Sequence, residues 1–381
     1  MNPMNPMSPI NPMSPTRRIQ PVDGLRAFAV LGVIWAHCWM FFGNLPWTVA
    51  HVNLIRLLAF GGIGVDLFFV ISGFCMYLMH AKDANHFGID TYGAFLKKRW
   101  LRIAPAFYFV VTFESVKYLL LNGVFPLKSF VYHLLFINTF NKDNVLSPPF
   151  WSLATEWHFY IILPFLFIRD AAGKYLYKRV TILMLICLAF RLRLYYGQDL
   201  MSGLTIPNDK IWYRFVEFGF GILAARFYLD GRRLSGLFRG NLGFILSFFI
   251  AFLGRMCMTT EFLAHFGRLA FVVRALGEPI LTLGFGLMIL NLVTTSGFFA
   301  RFIALRPFLF IGRISYSMYL WHWMIAVWIC GLVRSYVGVS ALYQEVAFIL
   351  VVAATSVVGF VSYTCLEAPY FRKRAKKLVA T

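Results

Sequence analysis

The chain has 381 residues, of which 60% are hydrophobic and 14% charged, and its formal net charge is +20. Such a composition excludes a soluble globular protein of this length and fits an integral membrane protein built from spans near 20 residues. A basic excess in that setting anchors cytoplasmic loops, so the charge argues against nucleic-acid binding.

The chain opens on a repeated tripeptide: Met1-Asn-Pro, Met4-Asn-Pro, Met7-Ser-Pro, Ile10-Asn-Pro and Met13-Ser-Pro. Proline at that density prevents a helix, and the stretch lacks the apolar core and cleavage site of a signal peptide. Residues 1–20 are therefore expected to form a disordered cytoplasmic leader. Apolar runs then predict spans near 24–43, 57–79, 103–122, 151–168, 180–196, 211–229, 242–258, 269–293, 308–331 and 344–366. A further run, 127–140, is short and carries Lys128, His133 and Asn138, so it reads as a re-entrant or surface helix. With ten spans and both termini cytoplasmic, the inner segments hold 21 lysines and arginines and the outer segments six. Making 127–140 a full crossing would put the basic 169–179 loop outside, against the positive-inside rule. The expected fold is all-α, a polytopic membrane helix bundle of about 10 transmembrane helices over residues 21–370, with a basic cytoplasmic tail at 371–381. Cys38, Cys75, Cys187, Cys257, Cys330 and Cys365 all fall in apolar segments with no CxxC pair. They read as small buried hydrophobes, and no metal site is expected.

Polar groups inside apolar spans are expensive and point to function. In the first span Arg26 and His37 stand eleven residues apart. At about 100° and 1.5 Å per residue they share one helix face about 16 Å apart, with His37 deeper in the membrane. Imidazole is the side chain best suited to proton transfer near neutral pH. The bland alternatives are a packing histidine and a snorkelling arginine. The second span reads Gly61-Gly-Ile-Gly64-Val-Asp66-Leu-Phe-Phe-Val-Ile-Ser72-Gly73-Phe74. Asp66 lies at a depth similar to His37, where a hydrogen bond to the imidazole would set its tautomer and raise its basicity. The glycines and Ser72 read as close helix packing.

Arg99 and Arg102 are i,i+3 neighbours at the expected start of a helix, suited to clamping a phosphate or simply to anchoring a loop. The fourth span begins Trp151-Ser152-Leu-Ala-Thr155-Glu156-Trp157-His158, with Glu156 one turn below Ser152. A carboxylate and a hydroxyl near the outer mouth would orient a sugar stacked on Trp151 and Trp157; the alternative is an aromatic belt, to which His158 is assigned. In Ser315-Tyr-Ser-Met-Tyr319-Leu-Trp-His322 the histidine is well inside the membrane, with packing and catalysis both open. Glu367-Ala-Pro369 reads as a helix stop whose carboxylate pairs with a cytoplasmic arginine.

Together these segments resemble acyltransferase family 3, the membrane O-acyltransferases. The resemblance rests on Arg26-x10-His37, Gly64-Val-Asp66 through Phe74, Arg99-x-x-Arg102, Trp151-Ser152-Leu-Ala-Thr-Glu156, Ser315 through His322 and Glu367-x-Pro369, in family order over about 23–370. It implies a multi-pass enzyme of the bacterial inner membrane. Such an enzyme moves an acetyl or other short acyl group from cytoplasmic acyl-CoA, acetyl-CoA foremost, to a hydroxyl of an envelope glycan or its lipid-linked precursor. On that reading His37, Asp66 and Glu156 are catalytic, with His37 as general base or covalent acyl carrier and Asp66 orienting it. Arg26, Arg99 and Arg102 hold the acyl-CoA, while Trp151, Ser152 and His322 lie toward the acceptor. The expected partners are acyl-CoA, a glycan or glycolipid, and membrane lipid. The rivals are an acyltransferase for a small diffusible substrate and a transporter or flippase of glycan intermediates. A transporter would be expected to show matched broken helices in repeated halves, which the sequence does not display.

Overall fold

The computed structural model describes residues 19–45, 48–49, 52–53, 63–81, 89–140, 146–167, 174–202, 208–232 and 234–371. The expected leader, Gly61 and Gly62, and the tail from residue 372 lie outside these described residues. The described chain is almost entirely helical: α1 (Gln20–Phe41), α2 (Gly64–His80), α3 (Ile89–Asn122), α4 (Leu127–Leu134), α5 (Trp151–Ile162), α6 (Leu176–Tyr195), α7 (Ile211–Leu229), α8 (Gly240–Met256), α9 (Ala270–Thr294), α10 (Arg306–Tyr336) and α11 (Ala341–Ser362). Its extended structure is the antiparallel pair Thr48–Val49 with Val52–Asn53. Five helical stretches, Gln20–Phe41, Thr91–Asn122, Thr260–Thr294, Arg306–Tyr336 and Ala341–Phe371, are long and apolar enough to cross a membrane; α2 and α8 are shorter apolar helices.

Helix ends follow local chemistry. Pro21 opens α1, where a missing N–H costs nothing. Ser340 caps α11 by accepting from the Tyr343 N–H at 3.2 Å. The third helix departs from expectation by starting at Ile89, so Arg99 and Arg102 sit within it. Its early turns turn Phe95 and Arg99 inward while Lys97 and Lys98 stay exposed, a pattern that a run of four basic and aromatic residues conceals in sequence. The α4 segment has eight residues, a rise of about 12 Å against a hydrocarbon core of about 30 Å, and is far too short to cross.

Packing runs in a continuous order from α11 to α10, α1, α2, α7, α9 and α8. The helix carrying His37 therefore lies between the one carrying His322 and the one carrying Asp66. Glycines on α2 set two of its approaches. A Cβ on Gly64 would fall 2.2 Å from the Ala29 carbonyl oxygen, and one on Gly73 would fall 2.2 Å from that of Phe218. Any larger residue would push α2 off α1 or α7, and with it Asp66 off its partners.

Candidate active site

Residues of α1, α2, α5, α7 and α10, with Pro148 and Pro149 before α5, enclose a cavity of about 340 Å³. His37, Asp66, Trp151, Arg214 and Tyr319 supply its polar and aromatic lining. Its size suits a small ligand group.

The hydrogen bonds around His37 fix a proton order. His322 Nδ1 lies 2.5 Å from the Tyr319 carbonyl oxygen, one helical turn back on α10. A carbonyl only accepts, so His322 Nδ1 carries the proton, and in a neutral imidazole Nε2 is then an acceptor. His37 Nδ1 stands 3.0 Å from that Nε2 and therefore donates to it. The lone pair of His37 is left on Nε2. The tautomers are assigned from these partners. The two rings stack at 5.1 Å, and Trp323 meets His37 edge-on at 5.0 Å.

This arrangement corrects two expectations. His322 is wholly buried and does not line the cavity; its Nε2 meets His37 instead. Asp66 does not meet His37. Its carboxylate accepts from Arg214 Nη1 at 2.8 Å, because a buried arginine on α7 is a stronger partner than a neutral imidazole.

Ser152 and Tyr319 tie α5 to α10. Their hydroxyls are 2.6 Å apart, and the Tyr319 hydroxyl donates to the Pro149 carbonyl at 2.8 Å. Glu156 lies one helical turn beyond Ser152 on α5, and neither residue lines the cavity. It accepts from Ser72 Oγ at 2.7 Å and from the Tyr160 hydroxyl. Its charge acts on Arg26. The expected sugar platform is thus not assembled. Glu156 faces inward toward α2, Trp157 is stacked on Phe136 at 5.1 Å, and Trp151 carries the Arg214 guanidinium 5.0 Å over its ring. Trp151 alone of the two lines the cavity.

Below lie the other arginines. Arg26 pairs with Asp23 at 2.5 Å and donates to Cys75 Sγ at 3.4 Å. Arg99 is buried and lies 3.2 Å from His80 Nε2, while Arg102 is half-buried with Phe371 5.9 Å beneath it. Both guanidinium charges reach Tyr160, the partner of Glu156. Glu367 accepts from Ser317 Oγ at 2.5 Å, tying the end of the last helix to α10, and Arg102 acts on it electrostatically.

Sequence reasoning passed over a buried ionic network. Arg214 Nη1 also donates to Glu217 at 2.8 Å, and its Nε and Nη2 donate to the Asn208 backbone carbonyl and side-chain oxygen at 2.9 and 3.1 Å. The Asn208 amide reaches Glu278 at 3.1 Å, and Glu278 pairs with Arg191 and Arg274. A signal was present: Arg214 and Glu217 sit i,i+3 inside an apolar helix, where an ionisable residue suggests function by default.

The chain is 25% identical to the O-acetyltransferase OatA of Staphylococcus aureus over 94% of its own length and 58% of that protein's. It is 26% identical to the putative peptidoglycan O-acetyltransferase YrhL of Bacillus subtilis over 93% and 55% respectively. The chain thus spans somewhat under three-fifths of these relatives. No solved structure matches. A family model described as an acyltransferase domain covers residues 19–365, so that the helices framing the cavity all fall within it, and the chain belongs to acyltransferase family 3.

Proposed function

We propose that this protein is an O-acyltransferase of the bacterial inner membrane, moving an acetyl group from cytoplasmic acetyl-CoA to a hydroxyl of an envelope glycan or its lipid-linked precursor. The observation that carries the reading is the chain from His37 through His322 to the Tyr319 carbonyl, which leaves the free lone pair of His37, a cavity-lining residue, on Nε2. The names of both relatives support acetyl as the group, and that of the Bacillus subtilis relative supports a peptidoglycan hydroxyl as the acceptor.

In the proposed orientation α1, α2, α3, α5, α6, α7, α8, α9, α10 and α11 cross the membrane and both termini are cytoplasmic. Arg26, Arg99 and Arg102 then lie toward the cytoplasm and take the CoA phosphates, a task suited to planar guanidiniums. The acyl arm passes Glu156 and Ser72 to reach the cavity. There the acceptor hydroxyl gives its proton to His37 Nε2 as its oxygen attacks the thioester carbonyl. The new imidazolium keeps its Nδ1–H on His322, and the departing CoA thiolate takes the other proton. Alignment of thioester and hydroxyl within the cavity supplies much of the remaining acceleration.

The test is acetyl transfer from labelled acetyl-CoA to soluble peptidoglycan fragments by the purified protein, compared with His37→Ala at equal folded amounts. A general base contributes about 10²–10⁴-fold, and a loss of that order is expected. Comparable rates in the two proteins would move the chemistry elsewhere.

A further inference from the structure

We infer that Arg214 is a catalytic residue, holding the thioester carbonyl oxygen through its Nη2–H as that oxygen takes on negative charge. The inference rests on the acyl-transfer reading above. Arg214 lines the same cavity as His37 but comes from α7, and among the described residues it is the one arginine or lysine on that lining.

Its donors can be counted. A guanidinium has five N–H groups in a fixed fork. Nε donates to the Asn208 carbonyl, Nη1 to Asp66 and Glu217, and one Nη2 hydrogen to Asn208 Oδ1. The second Nη2 hydrogen has no acceptor among the described residues. The guanidinium also lies over the Trp151 ring at 5.0 Å, which fixes its plane. A donor so fixed needs no reorganisation when charge appears, the condition under which electrostatic stabilisation is largest.

The carboxylates decide which anion it serves. Asp66 and Glu217 both sit on Nη1, so the positive charge of Arg214 is already matched by the acidic groups beside it. That balance disfavours a resident anion and leaves one directed hydrogen bond for charge that develops during the reaction. Interactions made only in the transition state raise kcat. In the step, the hydroxyl oxygen bonds to the carbonyl carbon while its proton goes to His37. The carbonyl π pair moves onto oxygen and is held by Arg214 Nη2–H. The pair then returns, the C–S bond breaks, and the CoA thiolate receives the proton from His37.

The test uses the purified full chain in detergent, acetyl-CoA as donor and a soluble peptidoglycan fragment as acceptor, with rates per folded protein. Removing one oxyanion donor typically costs about 10²–10³-fold in kcat, the loss expected for Arg214→Gln. Arg214→Lys keeps a charge against Asp66 and Glu217, and so the fold, but loses the fork; a fall of at least about 10-fold in kcat is expected. In both, KM for acetyl-CoA should stay within about twofold, since the interaction is absent from the ground state. A merely structural arginine would lower the folded yield and leave the kcat of the folded fraction unchanged. Should Arg214→Gln fail to fold, Arg214→Lys decides alone. A kcat for Arg214→Lys within about threefold of wild type overturns the inference, as does a loss that falls on KM instead. Wild type that transfers nothing overturns the acyl-transfer reading itself, a result distinct from an active wild type beside an equally active lysine variant.

Discussion

Replacing His322 by phenylalanine isolates the contribution of the imidazole relay. The ring is wholly buried and stacked on His37, so phenylalanine fills the same space while removing both nitrogens. His37 Nδ1–H, now 3.0 Å from an acceptor, would face an apolar edge. In the ground state this forfeits a neutral hydrogen bond of about 1 kcal/mol; in the transition state, with His37 charged, the same bond contributes about 1.5–3 kcal/mol. The difference, about 0.5–2 kcal/mol, is a fall of about 2–30-fold in kcat. That is well short of the about 10²–10⁴-fold expected for His37→Ala. His322→Gln, with a side-chain oxygen as acceptor, should recover part of the loss. The assay is release of the CoA thiol together with mass-spectrometric detection of the acetylated acceptor, at equal folded amounts. Because His322 acts only through His37, the double variant His37→Ala/His322→Phe should be no slower than His37→Ala alone. A wild-type rate in His322→Phe, or a further tenfold loss (about 1.4 kcal/mol) in the double variant, would refute the relay.

Three other outcomes are expected. Arg102→Ala should raise KM for acetyl-CoA by about 10–150-fold, the loss of one phosphate contact of about 1.5–3 kcal/mol, with little change in thermal stability because the side chain is half-buried; unchanged affinity would make it plain loop charge. Gly73→Leu should lower the unfolding temperature in detergent, since its Cβ alone would fall 2.2 Å from the Phe218 carbonyl oxygen and overpacking costs about 1–3 kcal/mol; a wild-type melting curve would contradict that close approach. His133, on the short α4 and fully buried, has its imidazole pushed down to about 4 by burial, against the opposing hydrogen bond to Ser129. The unfolded chain thus binds a proton that the folded chain refuses. Stability present above pH 6.5 should be lost as pH falls toward 4, by about 3 kcal/mol at most, and His133→Gln should flatten that part of the profile measured by thermal unfolding.

The sequence was most legible where the signal is local. The helices from α6 to α10 begin and end within a few residues of the apolar runs, because lipid-facing length and hydropathy are written in consecutive residues. Gly64 and Gly73 read correctly as close approaches for the same reason. Pairings were less legible. Depth alone pairs Asp66 with His37, while its actual partner Arg214 stands 148 residues later on another helix. His322 was placed toward the acceptor, since nothing in Ser315–His322 says which face of α10 meets α1. Glu156 was set at the mouth because its spacing from Ser152 fixes a turn but not the neighbour that turn meets, which is Ser72. Depth follows from one chain segment, whereas partnership depends on the order in which the helices pack.

The distance along the chain between Asp66 and Arg214 also bears on how the protein is made. At about 5–20 residues per second, a ribosome takes roughly 7–30 s to add the 148 residues between them. During that interval α2 carries an aspartate in its first turn with no arginine to receive it, on a helix of only 17 residues. On the proposed ten-span path, α2 is therefore a poor substrate for early release into lipid. It must be retained beside the insertion machinery, or held by α1 across Gly64, until α7 arrives. Assembly of the site and completion of membrane insertion then become one event, and a nascent chain truncated before Arg214 should be recognised by the cell's quality control as unfinished.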